Sequence, residues 1–369
     1  MNILVTGANG FIGKNLCIHL KEAGFESIET ITRDDTDESI DKKVNSADFI
    51  YHLAGVNRPE NDAEFQAGNT DLTKKIVDIL VNNKRSTPIL LTSSIQAELN
   101  NPYGKSKAGA ESAIFSYREK TGSTAYIYRL PNVFGKWCKP NYNSAVATFC
   151  YNVINDLPIT VHKADAPINL VYIDDVCHAF VNLLINTPSK SEEYNYVEPV
   201  YKTTVGKVVS LLNDYKQSRT SLITSKVGVG FERALYSTYL SYFKPEQFNY
   251  DVPSYTDERG SFSEMLKTND SGQFSFFTAH PGITRGGHYH HTKNEKFLVL
   301  KGDARFKFKH IVTGEEYELT TSEQVRTIVE TIPGWTHDIT NIGTEDLIVM
   351  LWANEIFDRK KPDTVAMPL

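Results

Sequence analysis

Short apolar runs alternate with amphipathic stretches over the first 180 residues. Helical spacing of apolar positions starts at Phe11, Asp71, Lys105 and Asp174. Between these stretches, five runs have the composition of buried strands: NILVT, SIETIT, ADFIYHLAG, TPILLTSS and TAYIYRL. Strands separated by helices predict a parallel sheet that helices cover on both faces, which is a doubly wound α/β fold.

The pattern changes at about residue 246. Strand-like runs then follow one another with only Gly, Asn, Thr and Pro turns between them, as in QFSFFTA, EKFLVLKG, ARFKFKHI and DLIVMLWA. This is typical of an all-β antiparallel sandwich or barrel. A Tyr-rich stretch of weak periodicity, 234–253, separates the two patterns. We therefore predict two domains, 1–243 and 244–369.

Composition excludes several classes of protein. Of the 369 residues, 40% are hydrophobic and 23% are charged, and the mean hydropathy is −0.34, which is typical of a globular protein. The net charge of −6 provides no broad positive field, so we expect no nucleic-acid and no membrane partner. The chain has no apolar stretch near the roughly 20 residues of a membrane span. MNILVTGANG also lacks the basic start of a secretion signal, and we expect a cytoplasmic protein.

A glycine-rich turn joins the first strand to the first helix. The strand at residues 2–6 leads directly into GANGFIG, and the helical pattern KNLCIHLKEAG follows. Glycines let the backbone turn tightly and approach a pyrophosphate, and the helix N-terminus offers free N–H groups to it. The loop is therefore predicted to bind a dinucleotide through Gly7, Asn9, Gly10, Phe11, Ile12 and Gly13.

The end of the second strand bears on the choice of cofactor. Arg33 stands where an NAD enzyme carries an acidic residue for the ribose 2′-hydroxyl. A guanidinium suits a 2′-phosphate, which favours NADPH. Asp34 and Asp35 follow at once, and the alternative is that Arg33 is a solvated surface side chain.

Tyr103 and Lys107 are four residues apart in YGKSK, at a predicted helix start, so that both lie on one helical face. An ammonium at Lys107 is expected to lower the pKa of the phenol, which would make Tyr103 a proton donor or acceptor near neutral pH. Ser94, at the end of the preceding strand, is a candidate to hydrogen-bond a substrate oxygen. Together these residues predict a proton-transfer site.

These motifs resemble the extended short-chain dehydrogenase/reductases, the branch that acts on nucleotide sugars. The matching elements span residues 1 to about 240 and are TGANGFIG, Asp48 with HLAG, TSS, YGKSK, RLPNVFG and VYIDDV. The resemblance implies a Rossmann-like domain in which Ser94, Tyr103 and Lys107 transfer the proton. It further implies that Asn132 approaches the sugar nucleotide and that the cofactor is contacted by Asp48, Leu53, Ala54, Gly55, Tyr103 and Lys107.

One departure from the family narrows the reaction. Its sugar dehydratases carry an acidic pair beside the catalytic hydroxyl residue, whereas Ile95, Gln96 and Ala97 follow Ser94 here. The resemblance therefore implies carbonyl reduction, or an epimerisation with retained cofactor, and not dehydration. The interval between Ser94 and Tyr103 is short for the family, so Ser93 stays open as the alternative serine.

Histidines crowd the second domain, with six of the ten between residues 280 and 337. His288 and His290 share one face of a strand, Glu295 follows across a turn, and His337 is a fourth candidate. Three imidazoles and a carboxylate would bind a divalent transition metal. The alternative is a strand with exposed polar residues. His291 faces the other way and is not expected to be a ligand.

Residues from about 250 to 369 resemble a cupin, because the spacing G-x5-HxH-x4-E-x6-G runs from Gly282 to Gly302. A narrower resemblance, to the deoxysugar-nucleotide 3,5-epimerases of this fold, is carried by RGGHYH and by DERGSFSE. It implies that His288 is a base that removes a proton beside a keto group, and that Arg259 and Arg285 face the nucleotide diphosphate. A metal-bound nitrogen cannot also accept that proton. His288 is either a ligand or the base, and we favour the ligand.

The two halves together are similar to enzymes of capsular polysaccharide biosynthesis that act on a UDP-activated 4-keto-6-deoxy amino sugar, on the route to UDP-N-acetyl-L-fucosamine. This implies epimerisation of C3 in the cupin, then reduction of the C4 ketone with NADPH. It also implies a divalent metal, with zinc favoured, and a homodimer. Two alternatives stay open: an epimerase that retains NAD and whose cupin only oligomerises the chain, and a non-catalytic sensor that binds NADP and metal.

Overall fold

The computed structural model describes residues 1–186, 192–325 and 327–369. The chain forms two compact units, one of Met1–Leu212 with Gly230–Phe243 and one of Asn213–Val229 with Lys244–Leu369. The sequence pattern assigned residues 213–229 to the first domain. In the structure they belong to the second unit, where Lys267 exchanges backbone hydrogen bonds with Leu222 and Thr224 at 2.8 Å each.

A parallel sheet forms the centre of the first unit, with strand order β2-β1-β3-β4-β5. Its order reverses between β1 and β3, and in open α/β sheets ligands bind outside the carboxyl ends of the strands at such a point. A smaller sheet, β6-β7-β8, pairs β6 with β7 in parallel and β7 with β8 antiparallel. The strands of the unit are β1 (Ile3–Thr6), β2 (Ile28–Ile31), β3 (Phe49–His52), β4 (Ile89–Ser94), β5 (Ala125–Leu130), β6 (Asn132–Phe134), β7 (Pro167–Tyr172) and β8 (Tyr201–Thr204).

Helices follow most of these strands. A π-helix, Gln66–Asp71, leads into α4, and a 3₁₀ turn, Ile95–Glu98, lies between β4 and α5. The helices of the described chain are α1 (Phe11–Glu22), α2 (Asp37–Ser46), α3 (Ala63–Phe65), α4 (Leu72–Asn82), α5 (Pro102–Thr121), α6 (Ala145–Ile154), α7 (Ile173–Ile185), α8 (Val205–Ser221) and α9 (Gly230–Leu240).

Burial explains why the central strands appear as continuous apolar runs. Every residue of β1, β3, β4 and β5 is buried, because helices cover both faces of the sheet. Leu4, Ile50, Leu91 and Ile127 pack with apolar residues of α2, α4 and α5 in one core. The predicted Rossmann-like domain is confirmed.

The second unit is built of two antiparallel sheets. Their orders are β16-β13-β18-β11-β10-β9 and β15-β14-β17-β12-β19. Phe277, Phe297 and Val349 from the first sheet share one core with Phe306 and Ile339 from the second, as in a cupin-like sandwich. The strands are β9 (Ser254–Asp257), β10 (Gly260–Thr268), β11 (Gly272–Ala279), β12 (Thr284–Tyr289), β13 (Glu295–Lys301), β14 (Asp303–His310), β15 (Glu316–Ser322), β16 (Ile328–Glu330), β17 (Trp335–Asn341), β18 (Leu347–Ala353) and β19 (Val365–Ala366).

The all-β character predicted for the second domain is therefore confirmed as well.

Across the described residues, none of the helices combines the length and the apolar character needed to cross a bilayer.

Candidate active sites

The glycine-rich turn lies between β1 and α1, at the carboxyl edge of the parallel sheet. Gly7 has a positive φ of 69°, which a side chain would strain. A Cβ at Gly13 would lie 2.3 Å from the Gly7 carbonyl oxygen, so the first turn of α1 packs directly on the loop. The backbone N–H groups at the start of α1 consequently face the crevice beside the loop, where they suit a pyrophosphate.

A cavity of about 820 Å³ opens beside this loop. Of the predicted cofactor residues, Ala54 does not line it, and its N–H instead donates to Thr6 Oγ1 at 3.1 Å, which fixes the end of β3. The size of the cavity and the glycine cradle fit a dinucleotide. The predicted residues that do line the cavity are Gly7, Asn9, Gly10, Phe11, Ile12, Gly13, Arg33, Leu53, Gly55, Ser94, Tyr103, Lys107 and Asn132.

The structure does not place Asp48 in the predicted cofactor site. It precedes β3, and its Oδ2 accepts the backbone N–H of Asn2 at 2.7 Å, just before β1 begins. Because β1 and β3 run parallel, Asp48 lies at the amino edge of the sheet, opposite the glycine loop. Its carboxylate ties two strand starts together and does not reach a nucleotide bound at the carboxyl edge.

Helix α5 presents Tyr103 and Lys107 to the cavity. Asn101 caps the helix, because its Oδ1 accepts the Gly104 N–H at 2.7 Å, and Pro102 occupies the first helical position. The Lys107 Nζ lies 6.0 Å from the centre of the Tyr103 ring and donates to the Thr92 carbonyl at 3.0 Å. Both groups are thus held at the end of β4.

The expected effect of Lys107 on the phenol is also corrected. Burial raises the pKa of Tyr103, and a hydrogen bond with Ser94 opposes that rise. Burial and Ser94 are the causes of the shift and Lys107 is not among them; the Lys107 Nζ donates to the Thr92 carbonyl. Burial lowers the pKa of Lys107 itself to about 8, against the attraction of Glu111. Tyr103 is therefore a protonated phenol at neutral pH, as a proton donor must be.

Ser93 and Ser94 differ in their partners. Ser93 donates a hydrogen bond to Oε1 of Glu111 at 2.5 Å. Arg129 donates two hydrogen bonds to the same carboxylate, from its Nε at 2.9 Å and from an NH2 at 2.7 Å. Ser94 hydrogen-bonds Tyr103 and accepts the Gln96 N–H at 3.1 Å. The structure thus brings Ser94 to the phenol and engages Ser93 in a buried ion pair.

Of the three charged residues after β2, Arg33, Asp34 and Asp35, the cavity is lined by Arg33 alone. Arg33 is exposed and lines it. Asp35 is bound within the turn, because its carboxylate pairs with Lys43, accepts the Ser39 hydroxyl at 2.7 Å and accepts the Thr32 N–H at 2.8 Å. These hydrogen bonds, with Lys43 first among them, hold the pKa of Asp35 far below its usual range. Asp35 remains an anion committed to the loop.

Asn69 is a contact that the sequence analysis missed. It is buried in the π-helix, accepts the Val56 N–H at 3.0 Å, and donates to the Val56 carbonyl and to Ser106 Oγ at 2.9 Å each. A Cβ at Gly55 would meet its Oδ1 at 2.7 Å and the Lys107 Nζ at 3.2 Å. Asn69 therefore fixes the loop after HLAG against α5. In the sequence Asn69 only precedes the helical pattern that starts at Asp71, and no spacing motif singled it out.

In the second unit, four predicted ligands converge. His288, His290, Glu295 and His337 each offer an atom, and these atoms all lie within 4.8 Å of one another. The Nε2 atoms of His290 and His337 approach Oε2 of Glu295 at 3.3 and 3.5 Å. His288 stands beside them, its ring 5.0 Å from that of His290. The pleat of β12 and the pairing of β12 with β17 bring them together.

The protonation of this cluster fits a cation. Burial lowers the pKa of His288 to about 4, so its imidazole is neutral. Burial raises the pKa of Glu295, but hydrogen bonds from His290 and His337 hold it well below its usual range. The Nδ1 of His337 is buried without a hydrogen-bond partner in the described part of the chain. Three imidazoles around a carboxylate are a donor set for a divalent transition metal.

A second cavity, of about 600 Å³, has Glu295 in its wall. Its other charged lining residues are Glu264, Lys267, Lys293, Glu355 and Arg359. The buried Lys293 is 3.0 Å from the Oε1 of Glu295. Lys293 and Arg359 were not anticipated from the sequence, which offered no motif for them.

The two arginines expected at the diphosphate do not line this cavity. Arg259 pairs with Asp257 at 2.6 Å. The Arg285 guanidinium lies 5.2 Å from the centre of the Phe277 ring, and burial, with repulsion from Arg259, lowers its pKa. Their predicted role at the diphosphate stays a prediction.

Comparison with known proteins identifies both halves. Residues 3–196 match the model of the NAD dependent epimerase/dehydratase family, and residues 255–365 match that of the polysaccharide biosynthesis C-terminal domain. A curated relative from Pseudomonas aeruginosa, UDP-2-acetamido-2,6-beta-L-arabino-hexul-4-ose reductase, is 56% identical over 99% of this chain and 98% of its own.

Solved structures give the same result. The capsular polysaccharide assembling protein CapF from Staphylococcus aureus is 44% identical, with a TM-score of 0.93 over the whole of both chains. UDP-glucuronic acid 4-epimerase from Bacillus cereus, at 17% identity and a TM-score of 0.56, covers 66% of this chain and 96% of its own, and shows the fold alone. The chain therefore belongs to the NAD dependent epimerase/dehydratase family, in the group of two-domain proteins that includes CapF.

Proposed function

We propose that this chain is a bifunctional nucleotide-sugar enzyme. The second unit epimerises C3 of a UDP-4-keto-6-deoxy-N-acetylhexosamine, and the first unit reduces the C4 ketone with NADPH, on the route to UDP-N-acetyl-L-fucosamine. The observation that carries the proposal is the arrangement of Ser94, Tyr103 and Lys107 around the glycine-loop cavity. The substrate class is taken from the printed activity of the relative from Pseudomonas aeruginosa.

The reduction uses the protonated phenol of Tyr103. NADPH, when bound, supplies the hydride for the C4 carbon. As negative charge develops on the ketone oxygen, Tyr103 donates its proton to that oxygen and Ser94 donates a hydrogen bond to it. Lys107, anchored on Thr92, supplies a positive charge close to the phenol that supports the resulting phenolate. Asn132, at the start of β6, lines the same cavity and contacts the sugar nucleotide.

Two observations support NADPH over NADH. Arg33 faces the cavity and offers a guanidinium to a 2′-phosphate. Asp35, whose charge would repel that phosphate, is paired with Lys43 and accepts the Thr32 N–H within its own turn.

The epimerisation uses the metal cluster. A 4-keto group acidifies the C3 proton, because its removal gives an enolate. A carboxylate that lines the 600 Å³ cavity, Glu264 or Glu355, would accept that proton, and delivery of a solvent-derived proton to the opposite face of C3 would complete the inversion. A divalent cation, with zinc favoured, would act as a Lewis acid at the cluster and stabilise such charge. His288 serves as a ligand here, together with His290, Glu295 and His337. Glu295 joins this cluster to the 600 Å³ cavity. Lys293 pairs with Glu295 there, and Arg359 is the cation of the lining that suits an anionic nucleotide sugar.

The second unit also provides a surface for a second copy of the chain. On β11, the side chains of Phe274 and Phe276 are 38% and 37% exposed. They lie opposite Trp352 and Met350 of the neighbouring strand β18. A contiguous apolar face of this kind marks an interaction surface. In this proposal it forms a homodimer, and replacing Phe276 with lysine is expected to yield monomers in sedimentation experiments.

Turnover with defined substrate tests the proposal. The protein is incubated with a UDP-4-keto-6-deoxy-N-acetylhexosamine and NADPH, and the ring stereochemistry of the product is read by NMR. We expect one NADPH consumed per product, with inversion at C3. An epimerase that retains NAD would form product without consuming NADPH, and a sensor would form none.

A further inference from the structure

The segment 363–367, here called the strap, runs along β12, the strand that carries His288 and that ends just before His290. Within it, β19 pairs antiparallel with β12, so that Ala366 lies opposite His288 and Val365 opposite Tyr289. The Met367 N–H donates to the Gly287 carbonyl at 2.8 Å. The strap thus continues the sheet from which the ligands project.

The carboxylate of Asp363 organises the turn between His290 and Glu295. It accepts three successive backbone N–H groups, from His291 at 2.9 Å, Thr292 at 2.6 Å and Lys293 at 2.8 Å. The Thr292 hydroxyl donates to it as well, at 2.9 Å. A turn with four donors directed at one anion has little freedom, so its two ends keep a fixed separation.

The carbonyl of Asp363 acts on His290 itself. The His290 Nδ1 lies 2.5 Å from this oxygen and therefore carries the proton that it donates. When a cation is bound, Nε2 would carry no proton and its lone pair would be directed at the cluster, where Nε2 lies 3.3 Å from Oε2 of Glu295. A carbonyl that accepts the second N–H of a ligating histidine fixes both its tautomer and its ring orientation.

The far end of the strap reaches the remaining ligand. Thr336, which is fully buried and precedes His337, donates its hydroxyl proton to the Met367 carbonyl. One five-residue segment therefore pairs with His288, hydrogen-bonds His290, holds the turn that leads to Glu295, and contacts Thr336 beside His337.

We infer that Asp363 is a positioning residue for the metal centre and that docking of the strap and binding of a divalent cation stabilise each other. The inference rests on the metal cluster of the proposed function. Coupling between two events is reciprocal, so loss of the Asp363 contacts weakens metal binding, and removal of the metal loosens the strap. Asp363 is not itself one of the metal ligands, so it affects metal binding only through the orientation of those ligands.

Zinc affinity, measured by competition with a chromogenic chelator on the full chain, tests the first half. Asp363→Ala is expected to weaken zinc binding by about 10- to 100-fold, and Asp363→Asn, which keeps one acceptor oxygen, by less. Asp358→Ala is the matched control, because Asp358 is an exposed aspartate that precedes the strap and accepts the Lys360 N–H at 2.8 Å. It should bind zinc like the wild type.

Hydrogen exchange of the wild-type protein tests the second half and needs no variant to fold. Removing zinc with a chelator should speed exchange at the amides of residues 291–293 and 367. If the wild type binds no zinc, the proposed metal centre is wrong. Two results would overturn the inference. In one, the wild type binds zinc and both Asp363→Ala and Asp363→Asn bind it with the same affinity. In the other, removal of zinc does not change the exchange rates at the amides of residues 291–293 and 367.

Discussion

The Ser93 hydroxyl lies 2.5 Å from Oε1 of Glu111, to which it donates a hydrogen bond. Glu111 is itself buried in a bidentate ion pair with Arg129. Adjacent residues of a strand point to opposite sides, so Ser94 is the one that meets Tyr103. Two serines side by side in β4 thus have different partners, Glu111 for Ser93 and the proposed proton donor Tyr103 for Ser94.

Ser94→Ala is expected to lower kcat for ketone reduction by about 10²- to 10³-fold, because the developing oxyanion loses a donor. The oxidation of NADPH followed by absorbance measures this rate. Ser93→Ala is the matched control: it should lower stability by about 1–3 kcal/mol while the rate per folded molecule stays close to that of the wild type. The assignment is wrong if Ser93→Ala abolishes reduction and Ser94→Ala does not.

Tyr103→Phe is expected to lower kcat by about 10²- to 10⁴-fold, since the phenol proton is removed and the ring remains. Binding of NADPH, followed by its fluorescence, should be nearly unchanged. A parallel loss of NADPH affinity would instead point to a role for the hydroxyl in holding the cofactor.

Cofactor choice depends on Arg33. Arg33→Ala should weaken NADPH binding by about 10- to 100-fold through loss of a charge-assisted contact, and leave NADH binding unchanged. Titration of cofactor fluorescence gives both affinities. Equal weakening of NADH would contradict a contact with the 2′-phosphate.

Lys43 should affect the same choice indirectly. Lys43→Met frees the carboxylate of Asp35, which would then repel a 2′-phosphate, so we expect weaker NADPH binding and an unchanged or tighter NADH affinity. Lys42→Met, an exposed neighbour on α2, is the control and should change neither. If Lys43→Met and Lys42→Met weakened NADPH binding equally, the cause would be the loss of one positive charge from the protein and not the release of Asp35.

His52 predicts a dependence of stability on pH. It is fully buried, with Thr6 Oγ1 and Thr73 Oγ1 at 2.8 and 2.9 Å from its two ring nitrogens, and burial, with repulsion from Lys107, lowers its pKa to about 3. Below the ordinary value of 6.5, the unfolded chain binds a proton that the folded chain does not. Stability should therefore fall as the pH drops from 6.5 towards 3, by up to about 1.4 kcal/mol per unit.

Thermal unfolding midpoints of the wild type and His52→Gln between pH 7 and 5 measure this effect. His52→Gln should be less stable at pH 7 and show a flatter decline. His162→Gln, at an exposed position, should keep the wild-type slope. Identical slopes for all three proteins would exclude His52 as the titrating group.

The sequence was sufficient where the determinant is local. Burial on both faces makes β1, β3, β4 and β5 continuous apolar runs, and the pleat puts His288 and His290 on one face. The sequence was misleading at Asp48. The motif resemblance assigned this residue to the cofactor, whereas a residue that precedes a parallel strand lies at the amino edge of the sheet. The polar helix α2 gave too weak an apolar pattern to be recognised.

Long-range partners were beyond prediction for a different reason. Asp363 is 73 residues away from His290, and Glu111 and Arg129 meet Ser93 from two other elements. Such pairs depend on how strands and helices are brought together, and no spacing in a single sequence records it.

Exchange of the C3 proton tests the central claim most directly. A UDP-4-keto-6-deoxy-N-acetylhexosamine is incubated in heavy water without NADPH, and deuterium at C3 is followed by NMR for the wild type, Tyr103→Phe and His337→Ala. We expect exchange with the wild type and Tyr103→Phe, and none with His337→Ala, which should still reduce an already epimerised ketone when NADPH is added. Exchange by His337→Ala at the wild-type rate, or its loss in Tyr103→Phe, would contradict two separate sites that act in sequence.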